Sequence, residues 1–163
     1  MSLQLSPISV DDAESFHACL DVVAREGNYL ALLEAPALEQ VKTFVAANIA
    51  NGVPQVVARD GAAVVGWCDI QPGWHHTLRH CGALGMGLLP AYRGQGHGAA
   101  LFNLCLARAV QAGVTRVELE VREDNLRARA LYARLGFATE GVKVRGMRAA
   151  CGYVNTVAMS MLV

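Results

Sequence analysis

Residues 81–100 read CGALGMGLLPAYRGQGHGAA. An apolar strand, Cys81–Leu89, turns at Pro90 and passes through Arg93-Gly94-Gln95-Gly96-His97-Gly98 into a long apolar helix, Gly96–Ala112. Glycines between a strand and a helix let backbone N–H groups face an anion with no side chain intervening. The helix N-terminus adds its partial positive charge, so the favoured guest is a phosphate or pyrophosphate. A nucleotide-bearing cofactor is therefore the first expectation, with Arg93 to Ala99 as its cradle. Gly82, Gly85 and Gly87 interrupt the strand itself, and glycine inside a strand marks a bulge or a close approach by another backbone or a ligand.

The flanking pattern alternates strands and helices. Leu3–Pro7 reads as a strand. Asp11 is placed to cap a helix that carries Phe16, Cys19, Leu20 and Val23 on one face and stops near Gly27. A second helix starts behind Pro36, carries Leu38, Val41, Phe44, Val45 and Ile49, and ends at Asn51-Gly52. Gln55–Arg59 and Ala63–Ile70 form a hairpin through Asp60-Gly61. Gln71–His80 is a polar-aromatic loop with Trp74, His75 and His76. Beyond the glycines come a strand at Arg116–Val121, a helix at Asn125–Leu135, and closing strands at Ala138–Arg148 and Tyr153–Leu162. The expected fold is α/β in the broad sense: a mixed, twisted sheet of about seven strands with helices on both faces, in one domain over residues 1–163.

Composition narrows the partners. Lys+Arg and Asp+Glu are equal at 14 each, which leaves no electrostatic footprint for nucleic acid or an anionic membrane. No apolar stretch reaches the length of a membrane span, and no charged region followed by an apolar run marks a signal peptide. Cys19, Cys68, Cys81, Cys105 and Cys151 are dispersed without a CxxC pair, as reduced thiols of a cytoplasmic protein are. His75, His76, His80, Cys81 and Cys68 match no common zinc spacing and read as loop or substrate-side residues; no metal is expected.

The glycines admit a rival. Gly94-x-Gly96-x-x-Ala99 also fits the dinucleotide fingerprint, with Glu118 or Glu120 roughly twenty residues on. Against it, Pro90-Ala91-Tyr92-Arg93 separates strand from glycines. Only about 65 residues then follow, too few for the rest of a doubly wound nucleotide domain.

The run strand–Pro–x–x–RGxGxG–apolar helix is followed by Leu119-Glu120-Val121, Asn125, Ala128, Leu131-Tyr132 and Leu135-Gly136-Phe137. Together they closely resemble the GNAT (Gcn5-related) N-acetyltransferases, with the motifs over about 82–137 and a similar element order over nearly the whole chain. The resemblance implies the acyl-CoA N-acyltransferase fold, acetyl-CoA as cosubstrate and direct transfer of the acetyl group to a primary amine. It puts the pyrophosphate on Gly94–Ala99, with Arg93, Gln95, His97 and Gly98 in the loop. It puts the pantetheine arm on backbone groups near Met86 and Leu88. Asn125 matches a cofactor-contacting asparagine, and is also a natural helix cap.

Transfer from a thioester to an amine needs a neutral amine, a donor to the oxyanion and a proton for the departing thiolate. By resemblance the oxyanion donor is the N–H near Leu88 and the acid is Tyr132. Glu120 matches the catalytic glutamate of the ribosomal-protein N-terminal alanine acetyltransferases. As a plain strand glutamate it reads equally as salt-bridged or solvent-facing, and a histidine or a water relay are the other bases left open. The strand Cys81–Leu88 carries no carboxylate. Small amines, amino acids and protein N-termini all stay open as acceptors, and a homodimer is the analogous assembly. Two other classes stand beside this one: a non-catalytic acyl-CoA-binding or sensing domain of the same fold, and a dinucleotide-dependent oxidoreductase.

Overall fold

A computed structural model describes residues 3–163; the first two residues, and with them the very start of the segment read for a signal peptide, lie outside the described residues. The strands are β1 (Gln4–Pro7), β2 (Gln55–Asp60), β3 (Ala63–Pro72), β4 (Cys81–Leu88), β5 (Arg116–Arg122), β6 (Ala138–Ala149) and β7 (Gly152–Leu162). The helices are α1 (Ala13–Arg25), α2 (Leu38–Ala50), α3 (His97–Gln111) and α4 (Leu126–Arg134). One sheet holds the seven strands in the order β1-β2-β3-β4-β5-β7-β6.

Neighbours in that sheet are antiparallel except β4 and β5, which are parallel. A doubly wound dinucleotide domain needs a parallel sheet, so that rival fails on topology. The helices divide between two cores. Leu101, Phe102, Cys105 and Ala109 of α3 pack with Phe137 and the inner faces of β4, β5 and β7, and α4 leans on this side through Ala128, Tyr132 and Leu135. On the opposite face Phe16, Leu20 and Val23 of α1 and Val41 and Val45 of α2 enclose Trp67.

Several local expectations shift. Asp11 is exposed and caps nothing; Asp12 is the buried residue. It accepts from the Ser9 amide and hydroxyl at 2.7 and 2.8 Å, because a 3-10 turn at Val10–Asp12 precedes α1. Burial alone would raise its carboxyl, but the bonds from Arg59 and Ser9 prevail and hold it below its ordinary value. The hairpin turns at Gly61-Ala62, one residue later than the Asp60-Gly61 reading, since Asp60 pairs with Ala63. Phe44 and Ile49 remain 40% and 44% exposed, because α2 buries only the stripe through Val41, Val45 and Asn48.

The decisive feature is where β4 stops pairing. Against β3 it is in register from Gly82 to Leu88, whereas against β5 it pairs only at Cys81, Gly82 and Ala83. β5 continues to Arg122 beside β7. The two parallel strands therefore diverge after Ala83.

Candidate active site

The divergence has a defined hydrogen-bonding polarity. Gly73 donates to Cys81 O at 3.0 Å and Leu89 donates to Val65 O at 2.9 Å. In an antiparallel ladder such pairs alternate, so Cys81, Ala83, Gly85, Gly87 and Leu89 turn their N–H and C=O groups to β3. Leu84, Met86 and Leu88 turn theirs the other way, into the gap left by β5. One of those groups is already taken: Arg93 Nε donates to Leu88 O at 2.8 Å.

The gap leads straight to the glycine loop. Gly94 and Gly96 adopt φ of +77° and +86°, in the left-handed region that favours glycine. Among the described residues the amides from Gly94 to Ala99 meet no backbone acceptor; the Ala100 amide has one, Gly96 O at 3.2 Å. A Cβ placed on Gly96 would meet nothing within 4 Å, so the loop faces open space. A row of free N–H groups at a helix start is what an anion binds.

Gap and loop form one cleft of about 1000 Å³. Gly94, Gly96, Gly98 and Ala99 line it, as do Met86, Leu88 and Arg93, with Asn125, Ala128 and Tyr132 along its α4 wall. Gln95 and His97 stand outside the lining; Gln95 Nε2 donates to Ala91 O at 2.8 Å. Arg93 departs from the phosphate role expected of it, because its guanidinium is committed elsewhere. It grips both carboxylate oxygens of Glu26 at 2.9 and 2.5 Å and lies 4.9 Å from the Tyr29 ring centroid. Arg93 thus fastens the end of α1 to the last carbonyl of β4. Asn125 accepts from the Ala128 amide at 3.1 Å, the helix-capping role read for it.

Tyr132 is largely buried against Phe137, ring centroids 5.7 Å apart, and its hydroxyl has no partner among the described residues. Burial pushes its phenol far above the ordinary value, with the charge of Cys68 a lesser cause, so it keeps its proton at any working pH. Glu120 sits on the opposite wall. Lys143 Nζ bonds one of its oxygens at 2.5 Å and the Thr156 hydroxyl bonds the other. The Lys143 bond first and the Thr156 bond second hold its carboxyl below the usual range, which makes it a weak proton acceptor. Glu118 is bonded to Arg116 at 3.2 Å. Of the residues read as site candidates, all but Gln95 and His97 come together in one cleft.

A smaller pocket of about 380 Å³ opens beside it, on the face covered by α1 and α2. Its walls are Phe16, Leu20, Val41, Phe44 and Trp67, and its one ionisable lining residue is Asp69 of β3. Asp69 was not singled out by sequence reading. The signal was there: it is the one charged residue in the run Ala63–Ile70.

Comparison with known proteins gives consistent results. The family described as "Acetyltransferase (GNAT) family" matches residues 23–137. An uncharacterized N-acetyltransferase of Mycobacterium tuberculosis is 33% identical over 134 residues, covering 76% of this chain and 84% of that one. Among solved structures, a GNAT-family acetyltransferase from Streptococcus pneumoniae superimposes with a TM-score of 0.93 at 23% identity, covering 99% of this chain and 100% of that one. A phosphinothricin acetyltransferase from Sinorhizobium meliloti, solved in complex with acetyl-CoA, gives 0.91 at 21% identity, over 100% of this chain and 89% of that one. At these identities the two structures speak for the fold.

Proposed function

The chain belongs to the GNAT acetyltransferase family, and we propose that it moves the acetyl group of acetyl-CoA to a primary amine by direct attack within a ternary complex. The observation that carries this reading is the divergence of β4 from β5 into the glycine loop. Acetyl-CoA supplies an activated thioester, and its amide-bearing arm and pyrophosphate are the chemistry that such a gap and loop suit. The residues fit it. Met86 offers both its backbone groups and Leu88 its N–H along the gap, and the amides of Gly94 to Ala99 offer donors for the pyrophosphate.

Each remaining residue then has a chemical task. The Leu88 N–H points into the gap and is the donor for the oxyanion, a role fixed backbone dipoles perform without reorganisation. Tyr132, protonated and without a hydrogen-bond partner among the described residues, is the acid for the departing thiolate. Glu120, its carboxylate held by Lys143 and Thr156 and its value lowered by them, is poorly suited to take a proton from the acceptor. Asn125 contributes by fixing the start of α4 and hence the position of Tyr132.

Titration calorimetry tests the cofactor half directly. The wild-type protein is expected to bind acetyl-CoA and neither NAD(H) nor NADP(H). Gly96→Glu, which puts a carboxylate in the cradle, is expected to bind none of them. A wild-type protein that ignores acetyl-CoA would sink the proposal.

A further inference from the structure

Among the described residues the buried carboxylate of Asp69 has no cation against it. Its recorded side-chain partner is the neutral amide of Gln71, at 3.3 Å. Across the β2–β3 ladder it stands beside Gln55, whose Oε1 accepts from Asn48 at 2.8 Å and whose buried Nε2 has no partner among the described residues. On the β4 side it lies over Gly85, where an added Cβ would come within 3.3 Å of both carboxylate oxygens. Every other residue lining the pocket is apolar or, like Gln40, uncharged. A buried carboxylate normally has a charged partner, and one held among amides and apolar walls calls for one from outside.

Position says where that partner comes from. Leu30, Ala31, Gly85 and Met86 line both the pocket and the large cleft, so the pocket opens onto the cleft beside the gap in β4. A group seated over Asp69 is next to the strand whose Met86 and Leu88 amides face that gap. Gly85 and Gly87 keep this approach low, and Trp67 packs over Gly87 in place of a side chain.

We propose that the Asp69 pocket is the acceptor site, taking a primary amine carried on an apolar body with no second charge, and that Asp69 both holds its ammonium and removes a proton from it. The proposal rests on the acetyltransfer reading above. The apolar body lies among Phe16, Leu20, Val41, Phe44 and Trp67. An N–H bond of the ammonium breaks and an O–H bond forms on Asp69. The freed lone pair makes the C–N bond at the thioester carbonyl, whose π electrons move to the oxygen facing the Leu88 N–H, and their return breaks the C–S bond. Tyr132 gives its proton to sulfur and regains one from the nitrogen adduct. The third proton stays on the amide, and Asp69 releases its own to water. Burial raises the Asp69 carboxyl to about 7, which suits a group that must be ionised to bind and then accept a proton near neutrality.

The test uses 2-phenylethylamine, spermidine and L-alanine as acceptors for the full chain and for Asp69→Asn, a near-isosteric change. Trp67 fluorescence reads amine binding without turnover, the only other tryptophan being Trp74, 97% exposed and removable as Trp74→Phe. Expected are quenching by 2-phenylethylamine, kcat/KM at least tenfold above that for the other two, and a limb rising through pH 7. In Asp69→Asn, kcat/KM should drop about 100-fold and the limb should vanish, with acetyl-CoA affinity by calorimetry unchanged. Unaltered kcat/KM in Asp69→Asn, or preference for spermidine or alanine, overturns the assignment. A wild-type protein that fails to bind acetyl-CoA instead overturns the reading beneath it, while the fluorescence titration still reports on the pocket.

Discussion

Two recesses meet at β4, and they are made in opposite ways. The large cleft is built from backbone: free amides from Gly94 to Ala99, and peptide groups of Met86 and Leu88 that β5 does not reach. Side chains such as Asn125 and Tyr132 wall it, but along the gap and the loop the polar groups it offers are those of the backbone. The small pocket is built from side chains on α1, α2 and β3, with one buried carboxylate among aromatic and aliphatic walls. Backbone recognition suits a ligand whose polar groups recur at regular intervals. Side-chain recognition suits one body and one charge. A single strand serves both because its residues alternate. Leu84, Met86 and Leu88 pack towards α3, while Gly85 and Gly87 leave the other face low enough for Asp69 and Trp67.

The sharpest way to break this contrast is to put side chains where the cleft uses backbone. Gly96→Glu combines a residue forced into a left-handed conformation with a carboxylate facing the cradle, and acetyl-CoA affinity is expected to fall by more than about 100-fold. Gly98→Ala is the control. Its Cβ would meet side-chain atoms of Leu131 and Met86 at 3.4 Å, an ordinary contact, so affinity should stay within about tenfold. Equal losses in both would mean that the helix start matters and the free amides do not.

Next in size is the acid. Tyr132→Phe removes a hydroxyl with no hydrogen-bond partner among the described residues, so the fold should lose little. Turnover should lose about 100-fold in kcat, with KM for acetyl-CoA nearly unchanged. Because burial keeps the phenol protonated, wild-type kcat should show no alkaline decline below about pH 10. A decline near pH 8 would point to another acid.

The difference between the recesses is also a difference in legibility. The cleft could be read from the chain because its parts are contiguous: strand, glycines and helix in one run, with the α4 face at helical spacing after Asn125. What spacing could not convey was competition for a side chain. Arg93 is claimed by Glu26, which lies far away in the sequence, and Glu120 by Lys143 and Thr156 on strands not yet placed. Of the pocket the chain shows one sign, the lone charge of Asp69 in the run Ala63–Ile70, and its surroundings appear once the sheet buries it opposite Gly85 and under two helices. Phe44 was read among the apolar residues of the second helix together with Val41 and Val45, for a related reason. Apolar spacing on α2 looks the same whether the residue fills a core or lines a recess.

Stability against pH gives a further contrast, since the two carboxylates pull in opposite directions. Asp69 has its folded value raised to about 7, from about 3.9 in an unfolded chain. Its burial costs nothing below that lower value. The cost grows as pH rises between the two values and is constant above the upper one. Asp69→Asn should therefore leave the protein as stable as wild type near pH 4 and more stable at pH 8, by up to a few kcal/mol given about 1.4 kcal/mol per unit. Urea melts of both proteins across that range measure it. A variant less stable at pH 8 would mean that the carboxylate is paired after all.

Glu120 gives the smallest effect and the opposite sign. Its folded value is depressed by Lys143 and Thr156, so it adds stability above its unfolded value and loses that contribution as pH falls through the folded one. Its side chain is 37% exposed and that of Lys143 61%, so water and salt screen the pair heavily. Glu120→Gln is expected to cost about 0.5 kcal/mol at pH 7, a cost that fades as pH falls through the depressed folded value and shrinks in high salt. Its kcat/KM should fall less than tenfold, with the limb through pH 7 retained, because a carboxylate already bonded to an ammonium and a hydroxyl is poorly placed to take a proton. A fall of about 100-fold that removed the limb would return the proton-accepting role to the cleft wall, and would leave Asp69 to hold the acceptor without deprotonating it.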